Sequence, residues 1–285
     1  MSDDELEEYR TAAIREERCF SKGRLRDEFR MKPAPDSEPV AWYKNAWGGR
    51  FAVYRINDCV PMRPKKTVTE KQLRAGEKLA LRSRLKSKSA RISKRAGDLL
   101  ASSPVFLDTE TTGLGNRAEA IEIGVTDAMG HVLMNERIRP TVSVDAEAEA
   151  VHGISDRSLS HAPGWPDVAE RLRDLLTGRP VIIFNADFDM RILQQTALAH
   201  DDTAAWLTGL DVHCAMAIAA AYYGATNRYG TISLANAVLA ADVSWSGAAH
   251  SASGDASTTA AVIHAIAQYY QNLSRQCVPD PAPKD

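Results

Sequence analysis

The sequence predicts an α/β fold behind a basic amino-terminal extension, and three observations carry that expectation. Residues 104–108, 120–126 and 131–138 read as short strands, the last two alternating apolar and polar side chains. Pro180-Val-Ile-Ile-Phe184 is wholly apolar, as a strand buried in mid-sheet would be. Between and after these runs lie segments with helical spacing of apolar residues.

Taken in order, residues 4–17 suit a helix, and Lys32-Pro-Ala-Pro-Asp-Ser-Glu-Pro39 suits a linker, since its three prolines oppose a helix or central strand. Residues 40–60 carry β-formers on both sides of Gly48-Gly49 and predict a hairpin. Its aromatic residues, Trp42, Tyr43, Trp47, Phe51 and Tyr54, are expected chiefly to pack on neighbouring helices, with base stacking the alternative. Thr69-Glu-Lys-Gln72 resembles a capping box, and Leu73, Leu81, Leu85 and Ile92 share one stripe, so one long helix is expected. Residues 104–138 then form an antiparallel meander, turning at Asp127 to Gly130. Helices are expected over residues 165–176, 188–198, 212–222, 233–239 and 256–271. The organisation is therefore residues 1–61 with the hairpin, 62–100 as basic helix or linker, 101–275 as the main domain and 276–285 as a flexible tail.

Charge divides the chain more sharply than the net value of −2 suggests. The first hundred residues hold 24 Lys and Arg against 15 Asp and Glu, a balance of +9, while the remainder holds 11 against 22. Residues 63–95 alone contain 13 basic residues and two acidic ones. Such a run is either a solvated helix face or a contact for nucleic-acid phosphate, which would screen its self-repulsion. The four cysteines lie far apart with no Cys-x-x-Cys pair, which argues against a zinc site or disulfide framework and fits a reducing cytoplasm. The start of the chain is acidic where a signal peptide is basic, and no apolar run is long enough to cross a bilayer, so no membrane role is expected.

The chemistry concentrates in three segments. In Val105-Phe-Leu-Asp-Thr-Glu-Thr-Thr-Gly-Leu114, period-two geometry puts Asp108 and Glu110 on one face of a strand end, where two carboxylates repel unless a cation neutralises them. In Val181-Ile-Ile-Phe-Asn-Ala-Asp-Phe-Asp189, a strand runs into a helix whose first turn holds Asp189, with Asp187 as the expected cap. In His250-Ser-Ala-Ser-Gly-Asp255, a loop imidazole precedes a helix-borne carboxylate.

Those three segments, in that order, resemble the motifs of the DEDDh branch of the DnaQ-like 3′→5′ exonucleases, over about residues 104–273. The resemblance implies a ribonuclease H-like mixed sheet of about five strands. It implies that Asp108, Glu110, Asp189 and Asp255 hold two Mg²⁺ or Mn²⁺ ions and that His250 is the general base. Carboxylates are hard oxygen ligands suited to those ions, and an imidazole titrates near neutrality. By the same resemblance Thr111 and Thr112 contact the terminal sugar, Leu114 wedges the last bases apart, His152 and Ile154 pack near the terminal base, and Asn185 fixes the site or touches the scissile strand. The expected activity is release of nucleoside 5′-monophosphates from single-stranded or frayed DNA. An exoribonuclease, or a binding module docked on nucleic acid or on a polymerase or repair complex, is the alternative.

Overall fold

The computed structural model describes residues 2–63, 69–246 and 250–277, and the chain divides into two units, Met1–Leu73 and Arg74–Asp285. Of the flexible tail expected over residues 276–285, residues 276 and 277 instead end the last helix, and residues 278–285 lie outside the described residues. So does the Pro64-Lys-Lys-Thr-Val68 part of the basic run. Among the described residues no helix is long and apolar enough to cross a membrane.

The first unit contains α1 (Asp3–Arg15), β1 (Cys19–Ser21), α2 (Lys22–Glu28), β2 (Met31–Pro33), β3 (Ala41–Lys44), β4 (Arg50–Arg55) and β5 (Cys59–Pro61). Ser2 and Glu5 form a capping box that starts α1, and Ser21 caps α2. Strands β1, β4 and β3 make an antiparallel sheet in that order, and β2 pairs with β5. The hairpin expected about Gly48-Gly49 is present. Asn45 Oδ1 accepts the N–H groups of Trp47 and Gly49, and Gly48 adopts φ +80°, a conformation glycine takes without strain. Phe20, Leu25, Phe29, Ala52, Tyr54 and Ile56 build a small core. Of the hairpin aromatics only Tyr54 enters it; Trp42, Tyr43, Trp47 and Phe51 are exposed, against the expectation that they pack on helices, because the core lies under the far end of the sheet.

The expected single basic helix is two: α3 (Glu70–Leu85), whose first turn contains the unit boundary, and α4 (Lys88–Ala101). Thr69 and Gln72 do bond reciprocally at the start of α3. The helix ends because Ser87 takes an extended backbone and caps the next helix, accepting the Ala90 N–H. No residue of α3 is fully buried, whereas α4 buries Ala90, Ser93 and Ala96.

The second unit continues with β6 (Val105–Thr111), β7 (Ala120–Asp127), β8 (Val132–Arg137), α5 (Ala146–His152), α6 (Asp156–Leu159), α7 (Trp165–Leu176), β9 (Val181–Ile183), α8 (Ala186–Ala199), β10 (Val212–Cys214), α9 (Ala215–Tyr223), α10 (Leu234–Ala241) and α11 (Ala252–Cys277). Five strands form a mixed sheet in the order β10, β9, β6, β7, β8, parallel on one side of β6 and antiparallel on the other. This bears out the α/β expectation, and β9, which carries the apolar run, is paired on both sides, by β10 and β6. Alternation along β6 feeds two cores. Val105 and Leu107 join Trp165, Leu172 and Ile192 from α7 and α8, while Phe106 joins Ala256, Ile263 and Ile266 from α11. The α4 helix packs on α11, where Ser93 Oγ donates to the Ala267 carbonyl and accepts the Tyr270 N–H. The helix expected over residues 212–222 begins only at Ala215; Val212–Cys214 extends the sheet instead, its β-branched start pairing with Val181.

Candidate active site

The two β6 cores determine where the site's side chains can point. Asp108 and Glu110 follow Phe106 by steps of two and so face α11, while Thr109 follows Leu107 and faces α8. Opposite them in the β6–β7 ladder stand Gly124 and Glu122. Carboxylate oxygens of Asp108, Glu110 and Asp255 all lie within 4.8 Å of one another.

Asp189 reaches the site from the other core. It sits in the first turn of α8, almost wholly buried, and its Oδ1 accepts both the Thr109 N–H (3.1 Å) and the Thr109 hydroxyl (2.8 Å). It therefore stands beside the three-acid cluster rather than in it, though close enough to repel Asp108. Asp187, expected to cap this helix, is a helical residue of the same turn; Asn185 occupies the cap position and makes no side-chain cap bond.

Asp255 is delivered by the start of α11, which is held against β7 by two features. Glu122 Oε1 accepts the Ala252 N–H at 3.1 Å, satisfying a donor that the helix itself cannot pair. At Gly124 a Cβ atom would lie 2.2 Å from the Ala252 carbonyl carbon and the Ser253 nitrogen, so only glycine permits this approach. His250 precedes the helix, exposed, in the left-handed region at φ +60°, and the segment before it lies outside the described residues.

Burial pushes Asp108, Glu110, Asp189 and Asp255 upward, and repulsion by neighbouring acids adds to it at Asp108 and Glu110. Asp108 lies well above the usual carboxylate range, through burial first and then repulsion by Asp189, Asp255, Glu110 and Glu122. Glu110 is pushed up to about 8 by burial, then by Asp255, Glu122 and Asp189. Burial raises Asp189 to about 7 although the Thr109 bonds pull it down. Burial also raises Asp255, opposed by the charge and backbone N–H of His250. Asp255 Oδ1 is buried with no hydrogen-bond partner. An all-oxygen donor set, mutually repelled and with an orphaned buried oxygen, fits a hard divalent cation.

The remaining expected residues divide by exposure. The Thr111 hydroxyl donates to the Gly113 carbonyl, and that of Thr112 accepts the Glu119 N–H, so both are engaged inside the loop after β6. Leu114 at the loop tip is 79% exposed. His152 Nδ1 accepts the Ile154 N–H, and its Nε2 lies 3.2 Å from the Thr111 carbonyl, which ties α5 to that loop. Ile154 is buried with Ile121 and Leu159, turned into the core. Asn185 is exposed. Sequence reasoning passed over Glu122, Gly124 and Thr109; the available signal was a carboxylate flanked directly by Ile121 and Ile123 in an interior strand.

A family model described as exonuclease matches residues 105–263, more than half of the chain. An uncharacterised exonuclease of Escherichia phage 186 is 37% identical over 186 residues, 63% of this chain and 96% of that one. The DNA polymerase III epsilon subunit of Escherichia coli is 34% identical over 96 residues, 30% of this chain and 40% of that protein. The fold is similar to Escherichia coli exonuclease I in complex with a dA16 oligonucleotide, with a TM-score of 0.50 and 18% identity, over 61% of this chain and 42% of that one. The three acidic segments, the mixed sheet that carries them and the matched span together show that the chain belongs to the exonuclease family of the DnaQ-like 3′→5′ exonuclease superfamily.

Proposed function

We propose that the protein is a divalent-metal-dependent 3′→5′ exonuclease that hydrolyses terminal phosphodiesters of single-stranded or frayed DNA to nucleoside 5′-monophosphates. The observation that carries this is the convergence of Asp108, Glu110 and Asp255 within 4.8 Å, with an orphaned carboxylate oxygen among them. Those three acids, with Asp189 beside them, would hold Mg²⁺ or Mn²⁺. A pair of such ions supplies charge neutralisation at the scissile phosphate and stabilises the attacking and leaving oxygens.

The chain's own groups do the rest. His250 stands exposed at the site's edge, where its imidazole takes the proton of the attacking water. Thr109 donates two hydrogen bonds to Asp189, which favour its ionised form against the opposing effect of burial. Exposed Leu114 meets the last base, and the backbone of Thr111 and Thr112 meets the sugar end, since their hydroxyls are already engaged. His152, itself held by the Ile154 N–H, ties α5 to the Thr111 backbone behind them, and exposed Asn185 meets the strand. A relative named as a subunit of DNA polymerase III supports DNA over RNA as substrate and a polymerase assembly as a partner.

Matched DNA and RNA oligonucleotides labelled at the 5′ end, incubated with Mg²⁺, Mn²⁺ or EDTA, test the proposal. Stepwise shortening of the DNA with either ion and none with EDTA is expected. A clear RNA preference would overturn the substrate assignment.

A further inference from the structure

The hairpin of the first unit displays large aromatic rings that its fold does not use. Trp42 and Tyr43 are more than half exposed, and Trp47 at the tip is 90% exposed. The turn is held by hydrogen bonds between Asn45 and the backbone of Trp47, Gly48 and Gly49, none of which uses the Trp47 ring. By register Trp42, Lys44 and Arg50 share one face, and Tyr43 and Phe51 share the other, their rings 5.9 Å apart.

Charge indicates what these rings receive. Strands β1, β3 and β4 carry Lys44, Arg50 and Arg55 and no carboxylate. The Arg50 guanidinium lies over the Trp42 ring at 5.6 Å, and Lys22 Nζ over the Tyr54 ring at 5.3 Å. Both line one open groove of about 470 Å³ with Trp42 and Phe51. Flat π-faces interleaved with unopposed cations match a polymer of bases on a phosphate backbone, whereas a duplex hides the faces of its bases.

We propose that this hairpin face binds single-stranded nucleic acid, stacking bases on Trp42 and Trp47 and contacting phosphates through Lys44 and Arg50. The proposal rests on the exonuclease reading, to which it adds a second contact for the same polymer, on a unit outside the exonuclease match.

The test is equilibrium binding of the full chain to fluorescein-labelled dT30 and to a 30-base-pair duplex in EDTA, read by anisotropy. Trp42→Ala with Trp47→Ala should weaken dT30 binding about tenfold or more, as expected for losing stacked bases. Trp42→Phe, which keeps a π-face, should retain most of the affinity. Lys44→Ala with Arg50→Ala should flatten the salt dependence by roughly 0.7 log unit for each phosphate that no longer meets a cation. The duplex should bind more weakly and be indifferent to the tryptophan changes. Unchanged dT30 affinity in the folded double tryptophan variant overturns the proposal and leaves the face to a protein partner. EDTA keeps cleavage out of the readout, so failure of the exonuclease reading appears separately, as strands left intact by the wild-type chain in Mg²⁺.

Discussion

Glu122 on β7 accepts the backbone N–H of Ala252 at 3.1 Å, so the strand opposite Glu110 anchors the helix that delivers Asp255. Two things follow from one carboxylate. It fixes the approach of α11, and its charge adds to the repulsion on Asp108 and Glu110. Glu122→Gln keeps an acceptor for Ala252 and removes the charge, so turnover should stay within about tenfold while the rising limb of the pH–rate profile moves to lower pH. Glu122→Ala leaves a buried donor unsatisfied, at about 1–3 kcal/mol, and should lower turnover and thermal stability together. Equal behaviour of the two variants would contradict the anchoring role.

Gly124 should tolerate no side chain. In Gly124→Ala the new Cβ meets the Ala252 and Ser253 backbone at 2.2 Å, so α11 must lift from the sheet or the strand must bend. Overpacking of this kind costs about 1–3 kcal/mol or more. A clearly lower melting temperature and loss of most activity are expected; a wild-type melting curve would show that α11 does not sit this close.

Thr109 offers a test of Asp189. Thr109→Val removes the hydroxyl that donates to Asp189 Oδ1 and lets its pKa rise further above about 7. Mg²⁺ affinity near pH 7 should then fall several-fold and recover at higher pH, as titration calorimetry at two pH values would record.

Much of this was legible in the chain. The meander follows from period-two patterning and β9 from an unbroken apolar run, and Asp108 and Glu110 lie on one face as their spacing required. Other features depend on tertiary contacts. The break at Ser87 depends on a capping residue inside an otherwise helical pattern, and β10 depends on pairing with Val181. Ile154, singled out beside the terminal base, is spent on the core with Ile121. Glu122 escaped notice because a single carboxylate in a strand has no periodic signature; its partner is 130 residues away.

The acids also predict how stability varies with pH. Glu110 and Asp189, raised to about 8 and about 7, favour the folded chain when protonated. Their contribution is fully present below their unfolded values, near pH 4, and is lost as pH rises through about 7 and 8. In EDTA these groups should make the melting temperature fall from pH 6 to pH 8.5. Added Mg²⁺ should raise it more at pH 8.5 than at pH 6, because bound protons compete with the ion. A cation effect independent of pH would argue against these carboxylates as its ligands.

His250→Ala should retain strand binding and Mg²⁺ binding but lose most turnover, since the imidazole is assigned to proton transfer rather than to the ion. Single-turnover rates beside anisotropy separate the two; wild-type rates would remove His250 from the mechanism.

The central claim is that hydrolysis occurs where Asp108, Glu110 and Asp255 meet. The most direct measurement compares wild type with Asp108→Asn on a 5′-labelled single-stranded DNA in Mg²⁺, resolved by single-nucleotide electrophoresis. A ladder shortening from the 3′ end with wild type, absent from a folded Asp108→Asn variant, is the predicted result. An equal ladder from both proteins would contradict it.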